Sequence, residues 1–188
     1  RAVVSEAGPP AGAVRRQLAC FERLGAAGWQ ALAAVTVAAQ TAGLLVIADG
    51  KRADIDVSAA AYAQALLGSV PTPEGDVGGL GADAVTVAPY MGPDTIAPFA
   101  RLAADAGAGL FVLVRTSNPG AAVIEDALLA DGRRVWEAVA AMVSEVSGPV
   151  GGRLADVGAV FGATAPDQLE RARELLPHAP FLLPGVGA

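Results

Sequence analysis

The chain has 188 residues, 53% of them hydrophobic, with 13 Lys plus Arg against 19 Asp plus Glu and a net charge of −6. This composition excludes disorder, which combines low hydrophobicity with high net charge. It also argues against a general nucleic-acid binder, because phosphate neutralisation needs many cations. One cysteine, Cys20, leaves no internal disulfide framework and points to a reducing, cytoplasmic compartment. No apolar run reaches the ~18 residues of a membrane span.

In chain order, residues 1–10 carry the turn-like Gly8-Pro9-Pro10 and do not read as a secretory leader. Apolar runs at 11–15, 44–49, 84–88, 109–115, 157–161 and 181–184 predict strands buried on both faces of a parallel sheet. Between them the spacing predicts helices over 20–41, 58–67, 95–106, 132–146 and 165–176. Gly43 and Gly107 close two of these, and Pro166 with Asp167 opens the last. The Gly-rich stretch 75–81 lacks dinucleotide-loop spacing and reads as a mobile connection, and 148–152 reads as a surface linker. Strand–helix alternation means βαβ units. An open doubly wound sheet and an eight-unit barrel both fit, although a barrel typically needs at least ~200 residues.

Lys51 is the only lysine beside twelve arginines. Arginine serves as well as lysine on a surface, but only lysine gives up a proton readily. Lys51 falls in Asp49-Gly-Lys-Arg-Ala-Asp54, at the carboxyl end of the second apolar run. Alternation along a strand points Asp49 and Lys51 the same way, and Asp54 lies just beyond. Charges there are costly unless paired. Pairing alone accounts for two of them, and the third, at the face where α/β folds carry their sites, favours chemistry.

Val46-Ile-Ala-Asp-Gly-Lys-Arg-Ala-Asp-Ile55 with Ser58-Ala-Ala-Ala-Tyr62 resembles the orotidine 5′-phosphate decarboxylase family, its actinobacterial branch in particular. Asp83 to Gly92, Thr116-Ser117-Asn118-Pro119, Gly162-Ala-Thr-Ala-Pro166 and Pro184-Gly185-Val-Gly187-Ala188 match in the same order. The resemblance covers nearly the whole chain. It implies a (β/α)8 TIM barrel, with residues 1–188 forming one barrel domain. It also implies a homodimer that converts orotidine 5′-phosphate to UMP in pyrimidine synthesis without metal or cofactor. On this reading Asp49 lies against the substrate carboxylate and Lys51 protonates C6. Asp54 comes from the partner subunit, with Ile55 and Ser58 beside it. Ser117 binds the pyrimidine edge, and Pro184 and Gly185 lie near the base. Ile55, Tyr62 and residues 116–119 favour this activity over the related magnesium-dependent sugar-phosphate decarboxylases and aldolases.

The match has departures. Arg15 stands where the family carries a further lysine. Asp56-Val57 and Gly120 stand where it has smaller or acidic residues. The family's first strand, with a ribose-binding aspartate, and its last strand, with a phosphate-binding arginine, find no counterpart, so the chain reads as a barrel incomplete at both ends. Standing alone, the 188 residues are expected to turn over weakly or not at all, because remote phosphate contacts drive much of such catalysis. The alternative is a divergent paralogue, marked by Arg15, that binds a pyrimidine nucleotide or acts in nucleoside natural-product metabolism.

His178 is expected in a surface loop, far from any second metal ligand. Cys20, Trp29 and Trp136 are expected in the core, and Arg133 and Arg134 on a solvated helix face. Asn118 could contact a ligand or cap a turn.

Overall fold

The computed structural model describes residues 11–147, 154–164 and 166–186; the 148–152 linker therefore lies outside the described residues. All six apolar runs form strands, and all six join one parallel sheet. The order along the chain is β1 (Ala13–Gln17), α1 (Leu18–Glu22), α2 (Gly25–Thr41), β2 (Leu45–Arg52), α3 (Asp56–Leu67), β3 (Ser69–Thr72) and β4 (Gly75–Gly78). It continues with β5 (Ala84–Val87), α4 (Pro93–Ala106), β6 (Gly109–Arg115), α5 (Ala121–Ile124), α6 (Val135–Ser147), β7 (Val157–Phe161), α7 (Pro166–Leu175) and β8 (Phe181–Leu182).

The sheet runs β1-β2-β5-β6-β7-β8. Its strands follow one another in chain order, as in a barrel, whereas a doubly wound sheet reverses its order at a switch point. This settles the choice that periodicity left open.

One face of the sheet carries the helices. Ala48, Val85, Val112 and Phe161 lie in the core with Phe99 of α4 and Trp136 of α6. Burial is two-sided on β5 and β7, but β6 alternates: Leu110, Val112 and Val114 are buried, while Phe111, Leu113 and Arg115 are half-buried. The second face therefore borders a partly open interior. No helix among the described residues is long and apolar enough to cross a membrane.

Three local expectations are corrected. The 20–41 helix is two helices, broken at Arg23–Leu24 with Gly25 at φ +60°. They fold back so tightly that a Cβ on Gly28 would sit 1.8 Å from the Phe21 carbonyl oxygen. The Gly-rich connection is half of an antiparallel hairpin, β3 paired with β4. Cys20 is exposed, because α1 buries Leu18 instead, and Trp29 is 40% exposed, because the face of α2 that packs inward is Gly28, Leu32, Thr36 and Ala39. Trp136 is buried, edge-on to Phe161, and His178 is exposed between α7 and β8. Gly43 (φ +78°) and Gly107 (φ +66°) end α2 and α4 in the left-handed conformation that glycine adopts freely. Arg133 and Arg134 are exposed but precede α6, pairing with Asp131 and with the first turn of the helix at Glu137.

Candidate active site

The carboxyl ends of β1, β2 and β5–β8 surround a cavity of about 330 Å³. Arg15, Gln17, Asp49, Lys51 and Thr86 line one side. Leu113, Thr116, Ser117, Asn118, Val160, Leu182 and Pro184 line the other. Parallel strands place their carboxyl ends together, so residues distant in sequence converge there.

The charged side rests on an irregularity. Ala48 pairs with Val85 and Arg52 with Val87, so Asp49, Gly50 and Lys51 stand opposite the single residue Thr86. This is a bulge with two extra residues on β2, a device that re-aims side chains and recurs beside active sites. Asp49 and Lys51 do converge, but through the bulge and not through plain alternation. Lys51 adopts φ +47°, a left-handed conformation rare outside glycine.

The Lys51 Nζ donates to Asp49 Oδ1 at 2.7 Å, and the Thr86 hydroxyl donates to the same oxygen at 2.8 Å. The Arg15 Nε lies 3.5 Å from Asp49 Oδ2, within ion-pair range. Asp49 is 1% exposed, while the side chains of Lys51 and Arg15 are each 42% exposed. One buried carboxylate thus holds two cations that reach into the cavity. Arg52, at the end of β2, ion-pairs with Glu22 and lies over the Tyr62 ring, anchoring the strand end to α1 and α3.

The uncharged side is braced from beneath. The Glu125 carboxylate accepts from the Thr116 N–H at 2.8 Å and lies 2.9 Å from the Thr116 hydroxyl, which also meets Asn118 Oδ1 at 2.6 Å. Arg115 makes two hydrogen bonds to the Asp126 carboxylate, which they hold below the usual range. The Gly162 backbone passes so close to Ser117 that a Cβ there would lie 2.8 Å from the Ser117 Cα. Asn118 lines the cavity, and its backbone carbonyl accepts the Ala121 N–H at the start of α5.

Of the residues named from sequence, the fold brings Arg15, Asp49, Lys51, Ser117 and Pro184 together around the cavity. Gly185 adjoins it: a Cβ there would lie 3.7 Å from the Ser117 Cβ. Asp54, Ile55 and Ser58 do not line it. The Asp54 carboxylate accepts the Ile55 N–H, Ile55 is 51% exposed, and Ser58 is exposed in the first turn of α3.

Sequence reasoning missed Thr86, Gln17, Leu113, Val160, Leu182 and Glu125. Thr86 did leave a signal, as the one polar side chain in the strand Ala84-Val85-Thr86-Val87. Glu125 left none, because its role depends on how the β6–α5 loop folds. Among the described residues, no three His, Cys, Asp or Glu side chains gather as a metal site.

A model of the family described as orotidine 5′-phosphate decarboxylase / HUMPS matches residues 1–188. The chain is 46% identical over 184 residues to an orotidine 5′-phosphate decarboxylase of Rhodopirellula baltica, covering 93% of this chain and 57% of the relative. It is 42% identical over 189 residues to one of Deinococcus radiodurans, covering 99% of this chain and 64% of the relative. The solved structure of Leishmania donovani OMP decarboxylase matches with a TM-score of 0.74 at 39% identity, over 93% of this chain and 62% of that one. The chain therefore spans less than two thirds of the length of these relatives. Their spread of sources does not single out an actinobacterial branch.

Proposed function

The chain belongs to the orotidine 5′-phosphate decarboxylase / HUMPS family, and from that membership we propose that it converts orotidine 5′-phosphate to UMP and CO2. The observation that carries this reading is the buried Asp49 holding Lys51 at 2.7 Å at the mouth of a cavity whose opposite wall is Ser117 and Pro184.

The C6–carboxylate bond breaks, CO2 leaves, and the electron pair stays on C6. The Lys51 ammonium stabilises that developing charge, then transfers its proton to C6 and regains one from water. Asp49 keeps the ammonium aimed, and its own negative charge faces the substrate carboxylate until CO2 departs. Ser117 hydrogen-bonds the pyrimidine edge, and Pro184 and Gly185 flank the base. Leu113, Val160 and Leu182 keep that side of the cavity apolar, which strengthens the electrostatic terms. No metal or cofactor takes part.

Within one protomer the Asp54 carboxylate is turned to its own backbone and does not line the cavity. This supports a homodimer in which the partner contributes Asp54, Ile55 and Ser58. On this reading residues 1–188 belong to one barrel domain, incomplete at both ends, in the cytoplasm.

The test, on the complete gene product that carries residues 1–188, is release of labelled CO2 from carboxyl-labelled orotidine 5′-phosphate, with matching UMP formation, in the presence of a chelator. The expected result is chelator-insensitive turnover that K51A lowers by about 10²–10⁴-fold, the range of a positioned proton donor. Equal turnover by K51A would overturn the reading. Binding of UMP with no CO2 release would favour the nucleotide-binding paralogue, for which Arg15 beside Asp49 is the supporting observation.

A further inference from the structure

We propose that Thr86 is the positioning residue of this site, a buried hydroxyl that fixes the Lys51 backbone and the Asp49 carboxylate at once. The effect on turnover rests on the decarboxylase reading; the geometry does not.

Thr86 is 1% exposed, so no bulk water can replace its hydroxyl. Its oxygen accepts the Lys51 N–H at 2.9 Å, and its single proton goes to Asp49 Oδ1 at 2.8 Å. The same Asp49 oxygen accepts the Lys51 Nζ at 2.7 Å. The three residues thus close a ring: Lys51 backbone to Thr86, Thr86 to Asp49, and Asp49 to the Lys51 side chain.

The ring spans the bulge in which Asp49–Lys51 oppose Thr86 alone. There the regular ladder is interrupted, and the Lys51 N–H would otherwise be an unsatisfied donor. It also secures Lys51 at φ +47°, where a non-glycine residue needs support from its surroundings. A β-branched residue suits a strand in any case, so the inference concerns the hydroxyl, which valine lacks and serine keeps.

Lys51 is the only lysine in the chain. Selective ¹⁵N-lysine labelling of the tag-free 188-residue chain therefore gives one backbone amide signal, from the N–H that meets Thr86. In T86V this signal is expected to shift and to exchange with solvent about tenfold faster or more, as for a lost buried hydrogen bond. In T86S both stay within about threefold of the starting protein. In turnover, T86V lowers kcat about ten- to a hundredfold, the range for partners that orient reacting groups, with KM within about twofold, and T86S restores kcat.

An unchanged signal and exchange rate in T86V, or a change as large in T86S, would overturn the proposal. If T86V does not fold, the starting protein decides: a Lys51 amide exchanging as fast as an unprotected residue overturns it. If the 188-residue chain turns over too weakly to compare variants, the amide result alone judges Thr86, and the functional reading stands or falls on the complete gene product.

Discussion

The two sides of the cavity are built by opposite means. The side formed by β1, β2 and β5 carries its reactive groups on strands, concentrates charge around one buried carboxylate, and departs from regular pairing to do so. The side formed by β6, β7 and β8 also shifts register, between Leu113 and Arg115, but its strands contribute apolar side chains and its polar contacts sit on the loop at Thr116–Asn118. That loop is propped by Glu125 and, through Arg115, by Asp126. The difference separates two tasks. Groups that stabilise a changing charge must be fixed before the substrate arrives, because reorganising them during the reaction would cost rate. Groups that recognise a flat polar edge can sit on a loop, provided the loop is held.

This contrast predicts unequal sensitivities. Neutralising the charged side should have the larger effect. D49N is expected to lower kcat about 10²–10³-fold while lowering the melting temperature only slightly, because the two cations it leaves without a counter-charge are each 42% exposed and can be hydrated. Kinetics and thermal melting on the same sample check both halves. A variant that loses stability in proportion to activity would erase the distinction.

On the uncharged side, E125A leaves the Thr116 N–H without its acceptor. The expected result is a three- to tenfold rise in KM, about the value of one hydrogen bond, with kcat nearly unchanged. E125Q should behave like the starting protein, because its amide can accept from the Thr116 N–H and donate to the Thr116 hydroxyl. A fall in kcat at constant KM would assign the loop to the chemistry and break the comparison.

The smallest effect concerns pH. Arg115 depresses the Asp126 carboxyl, so the pair's contribution to stability is complete above the ordinary Asp value of about 3.9. It is lost as pH falls through the lower folded value. D126N should therefore melt about 2–4 °C lower than the starting protein near neutrality, and the gap should close as the solution is acidified. A gap constant down to pH 2, followed by melting curves, would show that the pair does not titrate as described.

The elements fixed by burial were legible in the sequence. An apolar run such as Val157–Phe161 has few alternatives to a buried strand, and Gly107 could be read as a helix end. The helix break at Leu24 was not legible, because Gly25 and Gly28 act through a close approach to Phe21 that no periodicity encodes. The β3–β4 hairpin was hidden by its exposed glycines, which carry no alternating pattern. Within the site, Asp49 and Lys51 stood out because charge at the end of an apolar strand needs a reason. Their actual geometry depends on a bulge, a matter of pairing register between β2 and β5 that one strand's residues do not specify. Family resemblance supplied Ser117 and Pro184, whereas Glu125 emerged only from the folded loop.

The succession of sheet neighbours has a consequence for how the molecule assembles. Because each described strand lies beside the one made just before it, apart from the hairpin excursion between β2 and β5, no pairing within this sheet must wait for a distant part of the polypeptide. Such a chain can accrete one unit at a time as it leaves the ribosome, and its short loop closures favour rapid folding relative to sheets that join remote segments.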